Sequence, residues 1–168
     1  IIGNATDLFC QAYFVYDSKK SGGLTQSHLR FGKDPIRAPY LVTTADFVAC
    51  HTPSYVKKYD MVRNLKEGGT FLLNCQWDAA ELAEKMNAET KQYIAKNNIK
   101  LYTVNAIDLA QKVGMGKRTN TILQAAFFAL AKVMPIEEAV DYMKAAAKKS
   151  YAKKGDDVVK CNWDAIDA

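Results

Sequence analysis

The chain has 168 residues, 49% of them hydrophobic and 24% charged, which suits one domain with a real core and excludes a disordered or fibrous protein. Its net charge of +5 leans on Lys144, Lys148, Lys149, Lys153, Lys154 and Lys160; with no nucleic-acid motif beside them, they read as a solvated helix face or a surface for an anionic or protein partner, and nucleic acid is not expected. No apolar run reaches the roughly 18–20 residues of a membrane span, since the longest, Ile122 to Met134, is interrupted by Gln124 and Lys132, and no membrane partner is expected.

The chain opens on Ile1-Ile2-Gly3-Asn4, with no basic stretch, cleavage site or initiator Met, and so reads as a piece excised from a longer cytoplasmic protein. Tyr13 to Tyr16 looks like a strand, Asp17 to Gly23 like a loop, and Leu24 to Phe31 alternates in character. Arg37 to Val42 reads as another strand, and a hairpin-like pairing beside a main sheet is expected for this N-terminal part.

Strand and helix signals alternate from about residue 45. Ala45 to His51 is short, apolar and β-compatible. Thr52-Pro53 then offers an N-cap followed by proline at the first helical position, with a helical stripe running to Leu65. Gly68-Gly69 breaks the pattern, and Thr70 to Asn74 reads as a buried strand. Asp78 with Glu81 forms a capping-box spacing before a helix that places Leu82, Met86, Tyr93 and Ile94 on one side and ends near Asn97-Asn98. Ile99 to Val104 is the next strand. This βαβαβ order predicts parallel strands with helices on the faces. His51, Asn74, Gln76 and Asn105 fall at strand carboxyl ends, where each serves either as a turn cap or as a ligand contact.

Beyond that point the pattern is helical. Thr119 to Met134 is apolar on nearly every side, which predicts burial all round or cover by a partner. Pro135 starts a further helix with Glu137 and Glu138 in its first turn and lysines at its end. Val158 to Ala168 reads as a short tail. The fold class is therefore α/β: three layers, a mainly parallel central sheet with helices on both faces, N-terminal hairpin-like strands and a helical C-terminal part, within a single domain over 1–168.

Two clusters have the chemistry of an anion site. In Asp17 to Gly32, Lys19, Lys20 and Arg30 supply charge, Ser21 and Ser27 hydroxyls, and Gly22 and Gly23 unobstructed backbone N–H groups; a flexible basic loop between strands is the plainer reading of the same residues. In Gly114 to Thr121, Lys117, Arg118 and Asn120 precede a helix N-terminus, the secondary anion-site candidates, with a loop and cap as the plainer reading. Neither cluster has Walker spacing. No nucleophilic triad or acid–base pair stands out, so no catalytic residue is assigned. The four cysteines, at 10, 50, 75 and 161, lack C-x-x-C spacing and the two histidines add no metal spacing, so no metal ligand is assigned. Cys50 and Cys75 read as buried small hydrophobes and all four as reduced thiols.

Tyr13-Phe14-Val15-Tyr16-Asp17-Ser18-Lys19-Lys20-Ser21-Gly22-Gly23, continuing through Ser27-His28-Leu29-Arg30-Phe31-Gly32, resembles the signature of the gamma-type domain (domain III) of pyruvate:ferredoxin (flavodoxin) oxidoreductases. Ala45 to His51, Lys66 to Asn74 and Asn120 to Phe128 agree in order, so the resemblance covers essentially the whole chain. It implies part of an enzyme that oxidatively decarboxylates pyruvate with coenzyme A to acetyl-CoA and CO2 and passes electrons to ferredoxin or flavodoxin. It implies thiamine diphosphate, Mg2+ and [4Fe-4S] clusters held by other domains, a homodimeric whole enzyme, no cofactor in this part, and no turnover by this part alone. This domain would bind coenzyme A and cover the thiamine site, with the Lys19–Arg30 stretch on the coenzyme A phosphates. The alternative is a purely structural module holding domains or subunits together. The family's preceding strand and Gly-rich segment are missing here, which would leave the sheet an element short.

Overall fold

A computed structural model describes residues 1–17 and 23–168 and divides into two compact units, Ile1–Thr43 and Thr44–Ala168. The first unit begins with a single helical turn, α1 (Ile2–Ala5), closed where the Thr6 hydroxyl donates to the Ile2 carbonyl at 2.7 Å. Two strands rich in aromatic and polar alternation follow, β1 (Phe9–Tyr16) and β2 (Thr25–Gly32), paired antiparallel from Phe9↔Gly32 to Tyr16↔Thr25 without a slip. Directly opposed residues share a face. Gln11, Tyr13, His28 and Arg30 therefore lie on one face, and Ala12, Phe14, Ser27 and Leu29 on the other.

The segment after β2 folds against the first of these faces. The Val42 N–H donates to His28 Nδ1 at 3.1 Å, and the Arg30 guanidinium donates to the Ala38 carbonyl at 2.7 Å and to the Gln11 side chain. The same guanidinium lies 3.4 Å from the centre of the Tyr40 ring. Arg37 to Val42 is accordingly not the expected strand. Side chains of β2 take up backbone groups of Ala38 and Val42, and no ladder forms there.

In the second unit the apolar runs form parallel strands in the order β3 (Ala45–Cys50), β4 (Leu65–Asn74), β5 (Lys100–Val104). The expected helix to Leu65 is only a 3-10 turn, Pro53–Lys57, whose preceding Thr52 side chain makes no cap bond. Asp60 Oδ1 instead accepts the Arg63 N–H at 3.1 Å, and Tyr93 Oη donates to the carbonyls of Arg63 and Leu65 at 3.1 and 2.8 Å. These contacts turn the chain and start β4 early. Pairing passes from Ala45↔Leu65 to Phe47↔Thr70, so residues 66–69 bulge, and Gly68-Gly69 sits inside the strand where a break was expected.

The capping box forms as the spacing predicts: Asp78 Oδ1 accepts from the Glu81 N–H at 2.8 Å, and Glu81 Oε2 accepts from the Asp78 N–H at 3.2 Å. The helix it starts, α2 (Ala79–Lys85), stops sooner than expected. Asn87 Oδ1 accepts from the Thr90 N–H at 2.7 Å and begins a separate helix, α3 (Ala88–Lys96), because a side chain that caps cannot also continue a helix. Asn105 caps α4 (Ala106–Lys112) in the same way at 3.1 Å.

Next come α5 (Asn120–Ala131), ended by Lys132 in left-handed backbone (φ +49°), then α6 (Ile136–Tyr151) and α7 (Asp156–Asp167). The expected C-terminal tail is thus mostly helix. Asp156 and Asp157 sit favourably in its first turn, and Val159, Ala165 and Ile166 bury one side. Trp163 Nε1 donates to the Lys144 carbonyl at 3.0 Å and fastens α7 to α6. Among the described residues no helix is long and apolar enough to cross a membrane.

Helices cover both faces of the sheet. Cys50, Phe71 and Leu73 pack with Val56, Met86 and Ile99 on one side, where α2 and α3 lie. On the other, Phe47 meets Phe127 of α5 edge-on at 5.2 Å, and Ala110, Ile122, Leu123 and Ala165 join α4, α5 and α7 in a second core. The apolar helix is buried along one side only, at Ile122, Leu123 and Phe128, with Gln124 and Ala129 exposed, which is less than its all-round apolar surface predicts. Phe127 itself is only half-buried. Phe127→Ala is expected to lower stability by about 2 kcal/mol in urea denaturation, short of the ~3–5 kcal/mol of a fully buried ring but including its ring contacts with Phe47 and Phe128.

Candidate functional site

At the carboxyl ends of the strands the polar groups turn inward. Asn74 is 5% exposed; its Nδ2 donates to the His51 carbonyl at 3.0 Å and its Oδ1 accepts from the Ala106 N–H at 3.0 Å. It ties β3, β4 and the start of α4 together with both of its polar atoms engaged. Asn105 is a cap. His51 keeps an exposed side chain, and partial desolvation pulls its pKa below the ordinary imidazole value. Burial pushes the Cys50 thiol up, so it stays protonated and unreactive. At this end of the sheet Asn74 and Asn105 are spent on holding structure, and the His51 and Gln76 side chains face solvent.

Of the first anion cluster, Lys19, Lys20, Ser21 and Gly22 lie outside the described residues. The loop's neck is defined. The Asp17 N–H donates to the Leu24 carbonyl at 3.2 Å. Gly23 lies so close to Asp17 that a Cβ placed on it would stand 2.5 Å from the Asp17 Cβ. Gly23→Ala is therefore expected to splay the hairpin neck, at a cost of roughly 1–3 kcal/mol read from faster hydrogen exchange along β1 and β2. The two remaining residues of the cluster do not converge. Ser27 is exposed on one face of the hairpin, whereas Arg30 is on the other and committed to Gln11, Ala38 and Tyr40.

The second cluster does converge. After α4 the backbone takes left-handed conformations at Gly114 and Gly116 (φ +78° and +64°), which bends the chain sharply before α5. The bend brings Lys117 and Arg118 beside the first turn of α5. There they line a surface pocket of about 260 Å³ together with Met115, Thr119, Asn120, Thr121, Tyr151 and Asn162. Thr119 makes no side-chain cap bond, so the positive end of the helix is not closed by its own N-cap. Asn162, 3% exposed, is held by Thr121 Oγ1 donating to its Oδ1 at 2.9 Å and by its own Nδ2 donating to the Val158 carbonyl at 2.8 Å. Tyr151 and Asn162 could not be read as part of this cluster from sequence, since they come from α6 and α7. An adjoining pocket on the other side of Arg118 includes Asp157, whose carboxylate makes it the poorer place for an anion. The first has two cations and no carboxylate. It can take a phosphate or carboxylate by charge-assisted donation, but it holds no nucleophile–base pair.

All four cysteines are free, and among the described residues no three His, Cys, Asp or Glu side chains gather as metal ligands. Residues 2–168 match the family model described as pyruvate ferredoxin/flavodoxin oxidoreductase. The chain is 55% identical over 168 residues to the pyruvate-flavodoxin oxidoreductase of Enterobacter agglomerans, covering 100% of this chain and 14% of that protein. It is 50% identical over 167 residues to the pyruvate:ferredoxin oxidoreductase of Moorella thermoacetica, covering 99% and 14%. Against the pyruvate dehydrogenase (NADP+) of Cryptosporidium parvum it is 48% identical over 168 residues, covering 99% and 9%. The chain thus spans only a small part of the curated relatives it matches. Its fold is similar to that of the pyruvate oxidoreductase subunit PORC of Thermotoga maritima, with a TM-score of 0.69 at 18% identity over 95% of this chain and 76% of that one.

Proposed function

Because the chain belongs to the pyruvate ferredoxin/flavodoxin oxidoreductase family, we propose that it is the gamma-type domain of an enzyme that oxidatively decarboxylates pyruvate with coenzyme A, giving acetyl-CoA and CO2 and sending electrons to an external carrier. Within that enzyme it binds coenzyme A and helps cover the thiamine site. The observation that carries the binding role is the pocket at the start of α5, where Lys117 and Arg118 flank the open N-terminal turn. Coenzyme A presents a diphosphate and a 3′-phosphate, which need donors and positive charge without a catalytic side chain. Lys19 and Lys20, with Ser21 to Gly23, have the same charge and amide chemistry and remain a separate candidate for a phosphate, independent of this pocket.

The residues described here do not fit the family's redox groups: Cys50 and Cys75 are core side chains and no ligand cluster assembles around any cysteine. Thiamine diphosphate, Mg2+ and iron–sulfur clusters belong to other domains in this reading, and their chemistry is the cleavage of the carbon–carbon bond and the removal of electrons. The task of this chain is to hold the thiol-bearing acceptor by its phosphates. Relatives named for flavodoxin, ferredoxin and NADP+ are all about half identical to this segment, which supports a role shared by all of them and not the choice of electron carrier.

Hydrogen exchange on the whole enzyme, with and without coenzyme A, tests the assignment. Protection concentrated at residues 114–122 is the expected outcome. Normal pyruvate turnover without protection there would hand the chain to the alternative, a structural assembly module.

A further inference from the structure

Among the described residues, one face of the hairpin of the first unit is open to solvent, apart from the Cys10 end, where Gly3 of α1 comes within contact of the Cys10 Cβ. Along it β1 contributes Cys10, Ala12, Phe14 and Tyr16, and β2 contributes Thr25, Ser27, Leu29 and Phe31, every one of them exposed. Phe14 is 52% exposed, Tyr16 69%, Leu29 40% and Phe31 37%. Phe14 and Tyr16 stack with ring centres 6.3 Å apart, which keeps the aromatic surface continuous. Not one of these residues is charged. Strand faces that stay in water usually carry charges that prevent sticking, and a two-stranded hairpin is marginal without something packed on it. The opposite face carries His28 and Arg30 and is partly occupied by the Ala38–Val42 segment, although Phe9 and Tyr13 on it stay 47% and 46% exposed.

We propose that this uncharged face is a docking surface for an apolar, uncharged patch on another domain of the same oxidoreductase. The inference rests on the family reading and adds to it which surface of the chain makes the joint. The choice of occupant follows from two observations. First, the curated relatives are far longer than this chain, which accounts for 14% of their length, so most of such an enzyme is available as a neighbour. Second, the face offers no charge to a soluble acidic or basic partner, so its affinity comes from aromatic and aliphatic burial, the composition of an interface core. The lysine-rich helices at the other end of the chain lack that composition.

Cys10 stands on this face as a built-in reporter, exposed and free, while Cys50 and Cys75 are buried and report on integrity of the fold. The experiment measures alkylation of each cysteine by iodoacetamide, by peptide mass spectrometry, in the whole enzyme. Cys10 is expected to react at least about tenfold more slowly in the native enzyme than in the same enzyme unfolded in urea, as in a water-excluding interface centre. Leu29→Glu, and separately the milder Ala12→Glu opposite it, are expected to restore Cys10 labelling while Cys50 and Cys75 stay protected. Native Cys10 that reacts as fast as in urea overturns the proposal, as does protection that neither glutamate relieves. Protection of Cys10 in the 168-residue chain alone, growing with concentration alongside a doubled mass in light scattering, would assign the face to a second copy and also overturn it. Pyruvate-dependent electron transfer is assayed in parallel: its absence from an enzyme whose Cys10 is protected sinks the activity reading and leaves the joint standing.

Discussion

In the whole enzyme, replacing both Lys117 and Arg118 with alanine is expected to raise the apparent KM for coenzyme A by about a hundredfold while leaving turnover at saturating coenzyme A nearly unchanged. Each charge-assisted contact to a phosphate is worth roughly 1.5–3 kcal/mol where it is partly desolvated, so each single substitution should cost about tenfold or more. The contacts are to a part of the ligand that does not react, so they bind ground state and transition state alike, and the loss falls on KM. Arg118→Lys should recover part of the affinity, because lysine keeps the charge and loses the planar fork. Asp157→Asn, across Arg118 in the adjoining pocket, should leave affinity the same or tighten it slightly. Steady-state kinetics at fixed pyruvate settles all five variants. An unchanged KM in the double variant would remove the coenzyme A role from this pocket.

Asn74→Ala is expected to destabilise the chain by about 2–4 kcal/mol, because it strips the partners from a backbone N–H and a carbonyl in one step. The Ala106 N–H belongs to a residue with no exposed surface, and no water can replace the lost acceptor without opening the start of α4. The His51 carbonyl is nearer solvent and should recover more easily. Asn74→Asp keeps the acceptor for Ala106 but turns a buried carboxylate oxygen toward the His51 carbonyl, so at neutral pH it should cost at least as much as alanine and less as the pH falls and the carboxyl takes up a proton. Equilibrium urea unfolding measures the series. A loss under about 1 kcal/mol for alanine would mean that the joint between the strand ends and α4 is held by the ladder alone.

The sequence made the core strands legible because their signal is physical and local: four-to-seven-residue apolar runs such as Ala45–Cys50 and Thr70–Asn74 have nowhere to go but the interior of a parallel sheet. The capping box at Asp78 was readable for the same reason, since both of its halves lie within four residues. The misreadings arise where a side chain distant in sequence, or a cap in competition with periodicity, decides the backbone. Nothing local in residues 53–65 announces that Tyr93 will hold the start of β4. The Leu82–Ile94 stripe continues straight across Asn87, and only the cap shows that it is two helices. Arg37–Val42 has strand composition, but His28 and Arg30 take its backbone groups. In α7 the signal was present, Gly155 followed by Asp156-Asp157, with Val159 and Ile166 seven residues apart on one face. As for the site, the Gly114–Asn120 loop could be read as an anion-receptive bend, whereas Tyr151 and Asn162 enter only through the packing of α6 and α7 on α5.

The order of the strands has a consequence for how the protein is made. After β3, each strand of the second unit hydrogen-bonds to the strand synthesised just before it, β4 on β3 and β5 on β4. The sheet can therefore assemble as the polypeptide leaves the ribosome, every new strand meeting a template already in place, which keeps the sequence separation of its contacts small. The cover arrives in two instalments. Side chains for the face holding Phe71 and Leu73 are complete once Ile99 and Leu101 emerge, but the face holding Phe47 waits for Phe127. At a synthesis rate of about 5–20 residues per second, that second face spends on the order of one to five seconds as bare apolar surface. A released chain truncated between residues 105 and 120 should thus be the species most readily captured by chaperones, and extending it through Ala131 should free it.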